Sequence, residues 1–397
     1  MEHSPLQPEE RLAHAVFGMY FILRDGSFAD KGSVHRGSNM KLRVFDFHRV
    51  SALRSQAVYH GIAETITETS DPVLCLVSPE TPYVCVGMHQ EIGKEVDEAF
   101  CAEKGLPIYR RHVGGGAVYL DENQLFTHFI YPRRKVPEFA VNLYPMFIEP
   151  VVRTYQALGV NASYRPINDI QVDGRKIGGT GAASIGEATL MVGSFMYDFD
   201  TATMARCLKV PSEKFRDKLR QTLDDYMTTM AKELPAPPER AKLKALFLAN
   251  CADVLGVEPV EDQPTAEEWA AIERAEVALT DPAWTNLQGR KLVELGVKIS
   301  EGTHLTESMH KAPGGLIRVH LLGRDGKIGN LMISGDFTCL PPDGVDRLAT
   351  ELTGVKLSKD AIAEATEAAM KALQIEMPGV SGADLATAVM AAAETSN

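Results

Sequence analysis

The spacing of hydrophobic positions changes character along the chain. Between Met40 and about Asp200, short runs rich in Val, Ile, Phe and Tyr, bounded by Gly or Pro, read as strands: VLCLVSP, YVCVGMH, IYRRHV, FTHFIYP, NDIQVDG and LMVGSFMYDF. Two stretches among them, SQAVYHGIAETITE and NLYPMFIEPVVRTYQALG, carry apolar residues at helical spacing, and the second ends at Gly159 where a C-cap glycine belongs. From Thr203 to about Glu276 the pattern is mostly helical, with LPAPPER around Pro235 as a joint. Beyond Asp281, LIRVHLLGRDGKIGNLMISGDF gives two alternating runs about a turn at Arg324, Asp325 and Gly326, a hairpin signal. The following SKDAIAEATEAAMKALQ reads as a helix with Ser358 at its N-cap.

These patterns predict an α/β (α+β) protein. Its parts are an N-terminal extension (1–39), a mixed-sheet core (40–202), a helical connecting segment (203–280), a small α+β domain (281–380) and an Ala-rich tail (381–397), helical or frayed. MKLRVFDF, from Met40, alternates as a strand does and has the form of a domain start. The length of 397 residues agrees with two or three domains.

Composition narrows the function. Apolar residues make up 45% and charged residues 24%, an ordinary globular balance. A net charge of −12 disfavours a protein that wraps nucleic acid, because phosphate neutralisation needs an excess of Lys and Arg. LAHAVFGMYFIL, twelve residues from Leu12, is too short to span a bilayer, and no membrane association is expected. Six cysteines without a C-x-x-C pair argue against a zinc ribbon or a disulfide scaffold and suit a reducing cytoplasm.

Glycine and charge concentrate in two places: RRHVGGGAVYLDE from Arg110, and NDIQVDGRKIGGTGAA from Asn168. Glycine inside an element costs about 0.5 to 1 kcal/mol relative to Ala, so three in a row suggest a ligand lying on backbone amides, or simply a flexible turn. Arg110, Arg111, Arg175 and Lys176 would add charge for a phosphate or carboxylate. GGTGAAS lacks the downstream acidic residue of a dinucleotide site, and the chain has no G-x-x-x-x-G-K-[ST] loop. His89, His112 and His128 have no metal-ligand spacing, and Cys207 reads as a buried helix-face thiol.

Taken together, the two segments resemble the paired signatures of the lipoate-protein ligase family, R-R-x-x-G-G-G-A-V followed by N-D-(apolar)-x-x-x-G-(K/R)-K-(I/V). VGMHQE from Val86 is similar to the family's G-R-x-Q segment. LKVPSEKFRDK from Leu208 resembles the helix after the core, and HKAPGGLIRVHL with SGDF resembles the ligase accessory domain, so the likeness runs from Met40 to Leu373. The chain differs from the family pattern at Met88, Val113, Leu120, Gln124, Gly178 and Val192.

The resemblance implies a biotin/lipoate-ligase-like catalytic fold and an ATP-dependent reaction. Lipoate (or octanoate) and Mg-ATP would give the acyl-adenylate, and a lysine of a lipoyl-domain or lipoate-carrier protein would then take the acyl group. Lys176 would hold the carboxyl oxygen and α-phosphate, and Asp169 would contact Mg²⁺ or help deprotonate the incoming lysine. Binding would fall to His89, Arg110, Arg111, Gly114, Gly115, Gly116, Asp121, Gln124, Asn168, Gly181 and Ala182, with Val113, Ala117, Val118 and Ile177 along the acyl slot. Arg133 to Lys135 and Lys218 would contribute a positive rim for the acceptor, and a monomer is expected. The alternatives are an ATP-independent octanoyl or lipoyl transferase, which needs a nucleophilic cysteine beside the glycine loops, and a non-catalytic lipoate-binding protein.

Overall fold

The computed structural model describes residues 40–297 and 305–394. The expected N-terminal extension, 1–39, lies outside them. In chain order the strands of the first unit are β1 (Met40–Val50), β2 (Val73–Pro79), β3 (Tyr83–Val86), β4 (Ile108–Arg110), β5 (Val118–Leu120), β6 (Gln124–Pro132), β7 (Ala162–Arg165), β8 (Asp169–Val172), β9 (Arg175–Gly179), β10 (Gly181–Ile185), β11 (Ala188–Met196) and β12 (Val257–Glu261). Six of them form one mixed sheet in the order β10-β11-β6-β2-β1-β12, and β4-β3-β5 and β7-β8-β9 form two smaller sheets.

The all-apolar reading of β2 follows from its central place. Leu74 and Leu76 enter one core with Phe147 and Tyr155 of the helix Ala140–Ala157, while Val73, Cys75 and Val77 enter another with Ala57, Tyr59 and Ile62 of the helix Ala52–Thr65. A strand covered on both faces shows no polar alternation. Gly61 lets the helix Ala52–Thr65 meet the helix Ala266–Thr280, since a Cβ there would lie 2.4 Å from the Ile272 amide nitrogen. Gly159 has φ +94°, as a C-cap glycine does.

Two of the expected parts gain definition from their contacts. The segment 203–280 is more than a connecting layer, because β12 pairs in parallel with β1 at the sheet edge and the helix Arg240–Leu255 sends Leu243, Phe247 and Cys251 into the main core. The tail is not frayed over Gly382–Glu394, a helix whose Leu385, Ala386, Val389 and Ala392 are buried in the C-terminal unit. A small alanine-rich face allows that close packing, so of the two readings, helical or frayed, the helical one holds.

The C-terminal unit is an antiparallel meander of β13 (Leu305–Ala312), β14 (Gly315–Arg324) and β15 (Lys327–Gly335), covered by three helices. Asp325 and Gly326, both at positive φ, make the predicted hairpin turn. Ser358 stands at the N-cap of Lys359–Ala372 without a side-chain cap hydrogen bond. A buried charged cluster joins the two units: His320 and Ser334 hydrogen-bond the Glu91 carboxylate, and Arg318 lies 2.9 Å from Glu95. Burying the Arg318 charge is offset by the carboxylates that flank it, those of Glu91, Glu95 and Glu307.

Candidate functional site

The two glycine-rich segments face one cavity of about 240 Å³. Val113, Gly114, Gly115, Gly116 and Val118 line it from one side, and Asn168, Lys176 and Gly181 from the other, with Arg111 and Gln124 also in the wall. All were sequence candidates.

Lys176 follows a tight hairpin. Asp173 (φ +48°) and Gly174 (φ +82°) turn β8 into β9, and Lys176 then lies alongside Asp169, with Nζ 2.7 Å from Oδ1. Gly179 makes room, because a Cβ there would sit 2.9 Å from the Lys176 Nζ. The Tyr226 hydroxyl donates to the other Asp169 oxygen at 3.3 Å and accepts from Arg165 at 3.2 Å. Burial pulls the Lys176 pKa down, but Asp169 and Tyr226 outweigh it and hold the ammonium above its ordinary value. The cavity therefore carries a fixed cation.

The paired arginines act differently from expectation. Arg110 does not line the cavity: it is fully buried, and its Nη1 donates to the carbonyls of Gly87 (2.9 Å), Met88 (3.0 Å) and Gln90 (2.8 Å). Its Nε donates to the carbonyls of Trp284 and Thr285, and Trp284 Nε1 donates back to the Arg110 carbonyl. With no ion pair among the described residues, burial pushes its pKa down to about 10. Arg111 grips the glycine loop itself, donating to the carbonyls of Gly114 (2.8 Å), Gly116 (2.8 Å) and Cys85 (3.2 Å). Gly115, at φ +93°, has the left-handed conformation that this curl demands.

The C-terminal unit reaches the same loop. The Gly115 amide donates to the Phe337 carbonyl at 3.4 Å, and a Cβ on Gly114 would lie 2.4 Å from that oxygen. His89, expected to bind ligand, instead stacks on Phe337 (5.2 Å) and accepts through its carbonyl from the Gly335 amide; burial pushes its pKa down to about 3. A smaller cavity between the units touches Gly115, Asn168, Pro313, Gly314 and Asp336.

Other candidates also lie away from the cavity wall. Ile177 and Ala182 are core residues, and Ala117 packs with the residues around Phe100. Asp121 accepts from Asn123, and burial raises its carboxyl pKa. His112 lies between His60 and Trp284, tilted against the first at 3.9 Å and stacked on the second at 4.1 Å. On the possible acceptor rim, Arg134 pairs with Glu68 and Lys135 donates to the Ser70 carbonyl. All six cysteines are free and buried. Missed by sequence reasoning were Gln56, Tyr59, Phe126, His128 and Thr180, and the apolar wall of Met196, Phe199, Met204, Leu223 and Met227. For Phe126 and His128 a signal existed: they alternate with Gln124 along β6 and so share its face.

This architecture is that of enzymes of the ligase class. The chain belongs to the lipoyl protein ligase family: the lipoyl protein ligase A/B catalytic domain matches residues 51–252, and the bacterial lipoate protein ligase C-terminus matches residues 305–387. It is 28% identical over 298 residues to the lipoate-protein ligase LplJ of Bacillus subtilis, covering 72% of this chain and 82% of that protein. Over 222 residues it is 26% identical to the octanoyltransferase LipM of Kyrpidia tusciae, covering 50% of this chain and 80% of that one. Among solved structures, the bipartite lipoate protein ligase of Thermoplasma acidophilum, described with its E2 lipoyl domain, superposes with a TM-score of 0.58 at 22% identity, covering 62% of this chain and 97% of that chain. A crystal structure of lipoate-protein ligase A bound with ATP superposes with a TM-score of 0.55 at 19% identity, covering 63% and 100%. Among the described residues no helix is long and apolar enough to cross a membrane.

Proposed function

We propose that this protein is an ATP-dependent ligase that activates lipoate, or octanoate, as the acyl-adenylate and transfers the acyl group to a lysine of a lipoyl-domain or lipoate-carrier protein. The observation that carries this reading is the Lys176 ammonium, kept charged by Asp169 and set across a cavity from the glycine loop. In the first step a carboxylate oxygen of the acid attacks the α-phosphorus, the bond to the β-phosphate oxygen breaks, and pyrophosphate leaves with the electron pair. Two anions must approach each other, and Lys176 is placed to stabilise the charge that develops. In the second step the lysine amine attacks the carbonyl carbon of the mixed anhydride, AMP leaves, and the amide nitrogen loses a proton. Asp169, beside Lys176, is the residue we assign to take that proton.

ATP arrives as its magnesium complex. Lys176 and Tyr226 already engage the two oxygens of Asp169, and among the described residues no group of three His, Cys, Asp or Glu could hold a metal ion. A Mg²⁺ carried on the phosphates needs at most one or two protein carboxylates, so Asp169 stays the residue proposed to meet it.

Adenylate chemistry is favoured over a thioester route because no cysteine lines the cavity among the described residues, and burial pushes the Cys85 thiol up. The C-terminal match and the relatives named as lipoate-protein ligases support the same choice. In the test, the protein is incubated with lipoate, ATP, Mg²⁺ and a purified lipoyl domain. Release of pyrophosphate and a lipoyl mass gain on the domain are expected. Acyl transfer without ATP would instead establish the transferase.

A further inference from the structure

The wall of the cavity draws on two different cores, and each gives it one arm of lining residues. Tyr59, Val113, Phe126 and Val192 come from the core under the helix Ala52–Thr65, whereas Met204, Leu223, Tyr226 and Met227 come from the one around Phe100. In the second group the Tyr226 hydroxyl is held by Arg165 and Asp169, which puts polar side chains behind that wall. The first is nearly apolar and suits an acyl chain, and its polar tips satisfy each other: Gln56 donates to the Tyr83 hydroxyl at 2.6 Å and accepts from Tyr59 at 3.3 Å.

His128 is the exception in that arm. It is 3% exposed, packs edge-on to Tyr59 with ring centroids 4.9 Å apart, and leans on Phe126 at 5.9 Å. Neither of its ring nitrogens hydrogen-bonds a described residue, and Nδ1 is wholly buried. Burial pushes its pKa down to about 3, so the ring is neutral and carries one N–H. An unpaired polar group in an apolar wall loses its hydration without return, and such a group calls for a ligand that completes it.

A saturated chain ending in a methyl offers nothing to a ring nitrogen. A dithiolane offers sulfur, a weak acceptor that also packs well against the rings of Tyr59 and Phe126. The geometry points to His128 as a specificity-determining residue that reads the far end of the acyl chain and favours a sulfur-bearing terminus over a plain alkyl one. This inference rests on the ligase activity proposed above.

Its test is the ratio of kcat/KM for lipoate to that for octanoate, measured on the full chain by pyrophosphate release. Wild type should favour lipoate. The ratio should fall about fivefold in His128→Leu, the scale of one modest hydrogen bond, and recover in part in His128→Gln, which keeps an N–H. If the Leu variant does not fold, His128→Phe removes the nitrogens, keeps a ring and makes the same comparison. An unchanged ratio, or equal losses on both acids, would overturn the assignment while leaving the ligase intact. No pyrophosphate from either acid in the wild type would overturn the ligase reading itself.

Discussion

The two glycine-rich segments have similar compositions and opposite uses of charge. In the segment from Arg110 both arginines turn inward, Arg110 onto carbonyls of the 87–90 turn and of Trp284 and Thr285, Arg111 onto carbonyls of the loop itself. In the segment from Asn168 the Asp173–Gly174 turn sets Lys176 outward at the cavity, with Asp169 as its partner. A basic residue beside glycines can shape a backbone or present a charge. What separates the two cases is whether carbonyls or a carboxylate meet it.

The sharpest break in that contrast is Lys176→Ala, which should lower acyl-adenylate formation by at least about a hundredfold, read as pyrophosphate release, with little change in melting temperature. Arg110→Met should do the reverse. It leaves the carbonyls of Gly87, Met88 and Gln90 without their donor, so a loss of about 3 kcal/mol in denaturant unfolding is expected, whereas a variant as stable as wild type would show that Arg110 is not the scaffold of the loop.

The smallest effect concerns pH. The folded-state pKa of Lys176 is raised, so the stability it contributes is present below its unfolded pKa and is lost as pH rises through the folded one. Asp169→Asn removes a main raising influence and leaves burial to lower the pKa. The alkaline limb of the adenylation rate should therefore move to lower pH in a rate profile. A limb that stays in place would detach Lys176 protonation from Asp169.

Sequence made much of this legible where one local rule decides the outcome. The strand runs, the Gly159 cap and the Asp325–Gly326 turn need only neighbours along the chain. The rest depends on contacts between distant segments. β12 is a short strand in a helical stretch and is defined by β1, more than 200 residues earlier in the chain. His89 looked like a ligand contact because nothing local reveals that Phe337 covers it. Arg110 looked like a pocket cation because its carbonyl partners are scattered over 87–90 and 284–285.

Phe337 also bears on how the enzyme keeps its loop in order. Its carbonyl takes the Gly115 amide, so the shape of the glycine loop depends in part on the second unit being in place. Here both units lie on one chain, which makes that seating an intramolecular event at an effective concentration of the order of millimolar. Occupancy of the contact is then independent of how much enzyme a cell contains. The same two units made as separate polypeptides would lose it on dilution.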